Sequence, residues 1–169
     1  MNIDELNKAT EAEAETIFMQ CCTSSTWTRA MIKSRPFIDQ KNVVNTANQN
    51  WQGLDEADYL QAFEGHPRIG DVNSLREKYA STKQLASGEQ SSVQEASEKT
   101  LTELANGNEK YFEKFGFIFI VFATGKSALE MLELLTERLA NDRTVELMKA
   151  AEEQRKIFQI RLDKCLETT

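Results

Sequence analysis

The chain has 169 residues, a length that fits one domain large enough to bury a hydrophobic core. Its formal net charge of -7 and isoelectric point near 4.9 argue against nucleic acid or an anionic membrane surface as the main partner. The first residues lack the basic start and apolar run of a signal peptide, and no apolar run approaches membrane-spanning length. We therefore expect a soluble protein of the reducing cytoplasm.

Composition favours helix and argues against disulfides. The chain contains only two prolines and seven glycines, with many helix-forming residues. Its three cysteines are an odd number, and Cys21 and Cys22 are adjacent, so a disulfide framework is not expected. A zinc site could be drawn from Cys21, Cys22, Cys165 and His66, but adjacent cysteines lack the usual spacing of zinc ligands. We predict free or buried thiols and no metal.

The first part of the chain is predicted to form a series of short helices. Thr10 and Glu13 make a capping box, in which the hydroxyl caps a helix and the carboxylate reaches back to the cap. A break follows at Ser24-Ser25-Thr26, and Pro36 ends the next helix. The predicted helices cover residues 3–9, 10–22, 27–34, 38–51 and 55–63.

The middle of the chain carries three more predicted helices. Asn73 or Ser74 can cap a short helix that runs through Tyr79. After a polar connector over 81–86, a longer helix is predicted from Ser87 to about Leu104. The sequence Asn-Gly-Asn at 106–108 is predicted to stop it, and residues 109–114 to form one more short helix.

Residues 115–123 are a continuous run of aromatic, β-branched and small residues that would pass for a buried strand. No partner strand is found in the sequence, so we expect an extended, fully buried segment inside a helical core. An amphipathic helix over 126–140 and a long final helix from about 143 complete the chain. The sequence predicts one all-α domain over residues 1–169, a helical bundle with one buried extended segment.

Residues 65–70 form a candidate functional elbow. His66 is the only histidine in the chain, and Pro67 disfavours the α region for it. Gly65 and Gly70 permit backbone angles or close approaches that side chains would block. An imidazole is the side chain most easily poised for proton transfer near neutral pH. On these residues alone, a turn that contains a histidine is the simpler interpretation.

Two polar residues fall on the apolar face of the last helix. Arg161 lies near the middle of that face, and Gln154 lies close beside it two turns earlier. A buried guanidinium needs an anion or a set of acceptors. Either Arg161 forms a structural ion pair or extends along the helix to solvent, or it clamps a carboxylate or amide oxygen at the floor of a pocket.

Glu89 and Gln90 present a milder case at the start of the helix predicted from Ser87. Gln90 projects from the apolar face, and Glu89 from its edge. A capping box between Ser87 and Gln90, together with the helix dipole, explains both without any function.

These residues belong to an ordered set of motifs that spans Leu6 to about Leu166. The motifs are His66-Pro67-Arg68-Ile69-Gly70, Gly88-Glu89-Gln90, Phe115-Gly116-Phe117-Ile118-Phe119, Arg138-Leu139 with Asn141-Asp142, and Arg161-Leu162. Together they resemble the ureidoimidazoline decarboxylase (OHCU decarboxylase) family of urate degradation, a part of purine metabolism. The resemblance implies an all-α enzyme without a cofactor, commonly a homodimer, that converts 2-oxo-4-hydroxy-4-carboxy-5-ureidoimidazoline into (S)-allantoin and carbon dioxide.

The resemblance also implies roles for particular residues. His66 and Glu89 would be catalytic, as a coupled acid–base pair in which Glu89 orders the imidazole tautomer. The substrate-binding residues would be Pro67, Gln90, Phe119, Ile120 and Arg161, with backbone contacts from the segment that contains Phe119 and Ile120. One position departs from the pattern, because many members carry a ligand-contacting serine where this chain has Ala86. Arg68 is left out of the predicted site.

Two other functions stay open at this point. A helical domain that binds a small molecule without turnover would explain Arg161 and Gln154 without needing His66. Hydrolysis of a related ureido compound is the second, and it would release no carbon dioxide.

Overall fold

The computed structural model describes residues 1–68, 71–80 and 90–166, with the backbone alone for residues 80 and 90–97. Over these residues the chain forms nine helices and no strand, which confirms the all-α prediction. The helices are α1 (Ile3–Lys8), α2 (Glu11–Cys21), α3 (Ser25–Lys33), α4 (Gln40–Trp51), α5 (Glu56–Glu64), α6 (Val72–Ala80), α7 (Gln90–Phe115), α8 (Ala128–Leu139) and α9 (Arg143–Leu166).

Side chains that cap the backbone set where several helices begin. The predicted capping box at α2 is confirmed, because the Thr10 hydroxyl accepts from the backbone of Glu13 and the Glu13 carboxylate accepts from the backbone of Thr10. At α6 the predicted cap at Asn73 or Ser74 is wrong. The Asp71 carboxylate accepts from the backbone N–H of Ser74 at 2.7 Å, so the helix begins at Val72.

The predicted helix stop at residues 106–108 is also wrong. Helix α7 continues through Gly107 to Phe115 and absorbs the short helix predicted over 109–114. A Cβ at Gly107 would lie 2.6 Å from a methyl group of Leu135 on α8. The glycine therefore serves the close approach of two helices, and the packing gained there outweighs its low helix propensity.

Residues 116–127 are irregular, as predicted, but they are not fully buried. Phe115 still belongs to α7, and the segment starts at Gly116, whose φ of 78° turns the chain out of the helix. Phe117 and Ile120 are buried, whereas Phe119 and Phe122 are partly exposed. Because the chain here is not paired in a described sheet, successive side chains face both the core and solvent.

By its internal contacts the chain divides into two compact units, which are described separately. Unit 1 comprises Met1–His66 with Lys149–Thr169, and unit 2 comprises Pro67–Met148. That residues 1–169 form one domain stays a prediction.

An aromatic cluster forms the core of unit 1 and holds α9 in place. The ring of Phe158 on α9 lies 5.1 Å from that of Trp27 and 5.5 Å from that of Trp51. Each indole N–H is also satisfied, since Trp27 donates to the carbonyl of Ala47 and Trp51 donates to the carbonyl of Ala151 on α9. These contacts fix the register of α9 against α3 and α4.

A buried ion pair organises unit 2. Arg138 of α8 and Glu146 of α9 are 6% and 0% exposed, and the guanidinium donates to the carboxylate. Glu146 also accepts from the Tyr111 hydroxyl at 2.5 Å and from the Asn141 amide at 3.1 Å. Such saturation with hydrogen bonds is what allows a charged pair to be buried at tolerable cost.

We expect Arg138→Met to destabilise the protein by about 3–5 kcal/mol, because it leaves the Glu146 carboxylate buried without its counter-charge. The double variant Arg138→Met with Glu146→Leu should recover much of that loss. The free energy of unfolding in urea measures both effects.

Arg76 provides the control, because it pairs with Glu98 in unit 2 at the protein surface. Arg76→Met should change the free energy of unfolding far less. A similar loss from both arginine substitutions would contradict the assigned importance of the buried pair.

Candidate functional site

The elbow at His66 is fixed by a close contact at the end of α5. Gly65 caps that helix, and a Cβ at this position would lie 2.2 Å from the Thr23 hydroxyl oxygen. The same hydroxyl donates to the carbonyl of Gln61 at 3.0 Å, which ties the loop after α2 to the last turn of α5. Gly65 is therefore required for a close approach and not for an unusual φ, since its φ is -70°.

His66 makes a hydrogen bond with Gln154 of α9. The distance between His66 Nε2 and Gln154 Oε1 is 2.5 Å. A carboxamide oxygen only accepts, so the ring N–H must be on Nε2 when the imidazole is neutral. Among the described residues Nδ1 has no hydrogen-bond partner, and its lone pair is available to accept a proton.

The surroundings of His66 favour its neutral form. Burial lowers the pKa of the imidazole below its usual 6.5, the hydrogen bond to Gln154 opposes that shift, and the positive charge of Arg161 adds to it. At neutral pH the side chain is therefore a base with a free lone pair, and an imidazolium is disfavoured.

Arg161 lies on the same face of α9 as Gln154, as predicted, but it is only partly buried. Its Nη1 donates to the backbone carbonyl of Cys21, at the end of α2, at 3.1 Å. The structural ion pair weighed from the sequence is not found among the described residues. Of the five N–H donors of the guanidinium, the other four have no acceptor among the described residues.

The cysteines carry no visible chemistry. Cys21 and Cys22 are buried, and burial raises the pKa of each thiol to about 12, so both stay protonated. Free thiols were predicted at all three positions, and Cys165 is free as well. In the part of the chain that is described, no group of three His, Cys, Asp or Glu side chains could hold a metal ion.

Several predicted site residues belong to unit 2. Phe119 packs against Tyr111, with ring centroids 5.2 Å apart, and beneath the guanidinium of Arg138 at 4.6 Å. The carbonyl of Ile120 accepts from Arg138 Nη1 at 2.5 Å. That carbonyl thus accepts a bond from within the protein, and the N–H is the backbone donor of Ile120.

Other predictions for this part of the chain can be placed only in part. Pro67 follows His66 at the start of unit 2, and Gln90 is the first described residue of α7, without a described side chain. Glu89, Ala86 and Ser87 lie outside the described residues, as do the 81–86 connector and the capping box of the helix predicted to start there. Arg68, left out of the predicted site, pairs with Glu109 at 2.7 Å.

The sequence interpretation gave Arg138 and Glu146 no role, although they support Ile120 and Phe119. A signal was present, because Arg138 follows Met131 and Leu135 at helical spacing on the buried face of α8. A charged residue at such a position indicates a buried partner.

Comparison with known proteins gives a consistent result. The family model for OHCU decarboxylase matches residues 7–163. The chain is 38% identical over 145 residues to an Arabidopsis thaliana protein named uric acid degradation bifunctional protein TTL, covering 85% of this chain and 44% of that one. It spans less than half the length of the bifunctional curated relatives that it matches.

Two further matches, one curated protein and one solved structure, extend over nearly the full length of both chains. A Haloferax volcanii protein named 2-oxo-4-hydroxy-4-carboxy-5-ureidoimidazoline decarboxylase is 22% identical, covering 96% of this chain and 94% of that protein. A crystal structure of OHCU decarboxylase, determined in the presence of (S)-allantoin, is 33% identical with a TM-score of 0.72, covering 94% of this chain and 99% of that one.

The lowered pKa of His66 predicts how stability depends on pH. Between the folded and unfolded pKa values the unfolded chain binds more protons, so stability is full above the unfolded value near 6.5 and is lost as pH falls through the folded one. Wild type should lose stability relative to His66→Gln in urea unfolding as the pH falls below about 7.5 and through the region under 6.5. The chain has no other histidine to contribute to this change. A difference in the free energy of unfolding between the two proteins that stays constant with pH would contradict the lowered pKa of His66.

Proposed function

The chain belongs to the OHCU decarboxylase family, and we propose that it decarboxylates 2-oxo-4-hydroxy-4-carboxy-5-ureidoimidazoline to (S)-allantoin without a cofactor. The observation that carries this proposal is the single histidine, half-buried and within the influence of the Arg161 charge, with Nε2 bound to Gln154 and Nδ1 without a partner among the described residues. A base of this kind and a nearby cation suit a reaction that moves protons on an oxygen-rich ring.

The substrate defines what the residues must do. When the carboxylate leaves as carbon dioxide, the electron pair of the broken bond passes into the ring, and the carbon that carried it becomes a carbonyl. The hydroxyl on that carbon must lose its proton, the ring nitrogen that takes up the electron pair must gain one, and the neighbouring carbon that bears the ureido group must gain one on a single face. The protein must therefore hold the ring, accept a proton and spread negative charge.

His66 is proposed as the group that accepts the hydroxyl proton. Its pKa lies below 6.5, so the imidazole is unprotonated at neutral pH and Nδ1 can take a proton. The close contact of Gly65 with Thr23 holds the backbone before His66, and Gln154 holds the ring. A base fixed at two points loses little orientational freedom in the reaction.

Arg161 is proposed to bind an oxygen of the substrate. Its bond to the Cys21 carbonyl fixes one end of the guanidinium, and the remaining donors form a planar fork that suits a carboxylate or an amide oxygen. The same charge lowers the pKa of His66, so one residue serves both binding and the protonation state of the base.

The remaining roles come from the family resemblance and are proposals here. Glu89 would be the second acid–base group, and Pro67 and Gln90 would contact the substrate. Phe119 and Ile120 would supply backbone contacts. What supports the last two is the bond from Arg138 to the Ile120 carbonyl and the packing of Arg138 on Phe119, which fix that backbone.

The state and location of the protein are also proposals. We propose a single-domain homodimer that acts in the cytoplasm, as the family resemblance implies. Cys21, Cys22 and Cys165 are all free, which suits a reducing compartment. No helix in the described stretches has the length and apolar character to cross a membrane. Sedimentation equilibrium of the purified chain tests the dimer, and a concentration-independent monomer would refute it.

The proposal is tested by adding the purified protein to freshly oxidised urate and following circular dichroism. Wild type should produce chiral allantoin and carbon dioxide faster than the spontaneous decay. A binding module would leave only the slow racemic decay, and a ureido hydrolase would release no carbon dioxide.

Two substitutions assign the roles in the same assay. His66→Ala should slow the reaction by roughly 10² to 10⁴, the usual contribution of a general base. Arg161→Lys should lower kcat/KM roughly ten- to a hundredfold, because the charge stays and the fork is lost.

Arg155→Lys is the matched control for Arg161, since Arg155 lies on the same helix and pairs with Glu152. It should leave the rate unchanged. An unaltered rate in His66→Ala with wild-type far-ultraviolet circular dichroism would refute the role of His66, and full activity of Arg161→Lys would refute that of Arg161.

A further inference from the structure

The carboxamide of Gln154 is only half satisfied. The side chain is 0% exposed, on the face of α9 that also buries Ala150, Ala151 and Phe158. Its oxygen accepts from His66, but its nitrogen Nε2 has no hydrogen-bond partner, the one such buried side-chain atom in the described part of the chain. Native proteins rarely leave a buried amide donor without an acceptor, so we expect Gln154 Nε2 to have a hydrogen-bond acceptor when a ligand is bound.

The two halves of the carboxamide are linked. Rotating it by 180° would turn the nitrogen toward His66 and leave the oxygen without a partner instead. In either orientation one polar atom of Gln154 holds the imidazole, and the other stays open beside it. In the orientation of the structure the oxygen faces His66, so the neutral ring carries its proton on Nε2 and the open atom of Gln154 is the amide donor.

The charge nearby indicates what the partner is. Arg161 lies two turns further along the same face of α9 and is the charged group that acts on His66. A second donor beside a guanidinium suits an oxygen atom, and the small amide-rich ring of the proposed substrate offers carbonyl, hydroxyl and carboxylate oxygens.

We propose that Gln154 is a substrate-binding and positioning residue: its oxygen holds His66 as the Nε2–H tautomer, and its Nε2–H₂ donates to an oxygen of the bound ureidoimidazoline. This inference rests on the proposed decarboxylation and adds a residue to it. The family resemblance gives Glu89 the role of ordering the imidazole tautomer. In this proposal Gln154 of α9 takes over that role at Nε2.

Gln154→Glu and Gln154→Leu separate the two functions of the side chain. Glutamate keeps an acceptor for His66 but loses the donor, so affinity for (S)-allantoin should fall roughly ten- to a hundredfold and KM should rise. Its negative charge should raise the pKa of His66 and shift the acid limb of the kcat/KM profile to higher pH. Leucine removes both halves, so affinity should fall similarly and that limb should shift to lower pH.

Gln159 supplies the matched control, because it lies on the same helix and bonds to Asn48. Gln159→Glu and Gln159→Leu should leave allantoin affinity and the pH profile unchanged. Allantoin affinity is measured by calorimetric titration, and kcat, KM and the pH profile by the urate-coupled assay. If Gln154→Leu fails to fold, Gln154→Glu carries the test alone, since it has the same size and keeps the bond to His66.

The outcomes are distinguishable. Wild-type turnover combined with unchanged affinity, KM and pH profile in the Gln154 variants would refute this inference alone and would make Gln154 a structural residue. Wild type without turnover would refute the proposed function and, with it, the substrate role of Gln154.

Discussion

The hydrogen bond between His66 and Gln154 is the constraint on which the chemical account depends. It joins the loop after α5 to the middle of α9, two elements far apart in the sequence. Neither end is free to move, because Gly65 packs against Thr23 at one end and the aromatic cluster around Phe158 fixes α9 at the other. The single imidazole of the protein is thereby held at Nε2, and Nδ1 has no partner among the described residues.

The electrostatics follow from that arrangement. Desolvation lowers the pKa of the half-buried His66, and the positive charge of Arg161 adds to that effect, so the two side chains supply a base and a cation instead of two cations. This combination suits the proposed decarboxylation, since the leaving carboxylate and the developing ring charge are anionic while the hydroxyl of that substrate must lose a proton. In unit 2, by contrast, Arg138 is neutralised by Glu146 and serves to hold the Ile120 carbonyl. Among the described residues only Arg138 of these two arginines has a carboxylate partner, and this difference supports a structural role for Arg138 and the proposed binding role for Arg161.

Much of this could be predicted from the sequence. Helical periodicity placed Gln154 and Arg161 on one face of the last helix, and the capping box at Thr10 located the start of α2. Predictions from local sequence were wrong where tertiary packing favoured a different structure. Gly107 suggests a helix end, yet it lies inside α7 because Leu135 needs the space. The His66–Gln154 bond joins positions 88 residues apart, so no local pattern could reveal it. Glu89, the second predicted catalytic residue, lies outside the described residues.

The central claim concerns the protonation state of one ring, and nitrogen NMR of the wild-type protein observes that ring without interference from other histidines. At neutral pH we expect a neutral imidazole with a proton-bearing Nε2 and an unprotonated, pyridine-type Nδ1. A proton on Nδ1 in place of Nε2, or a doubly protonated imidazolium at neutral pH, would contradict this claim.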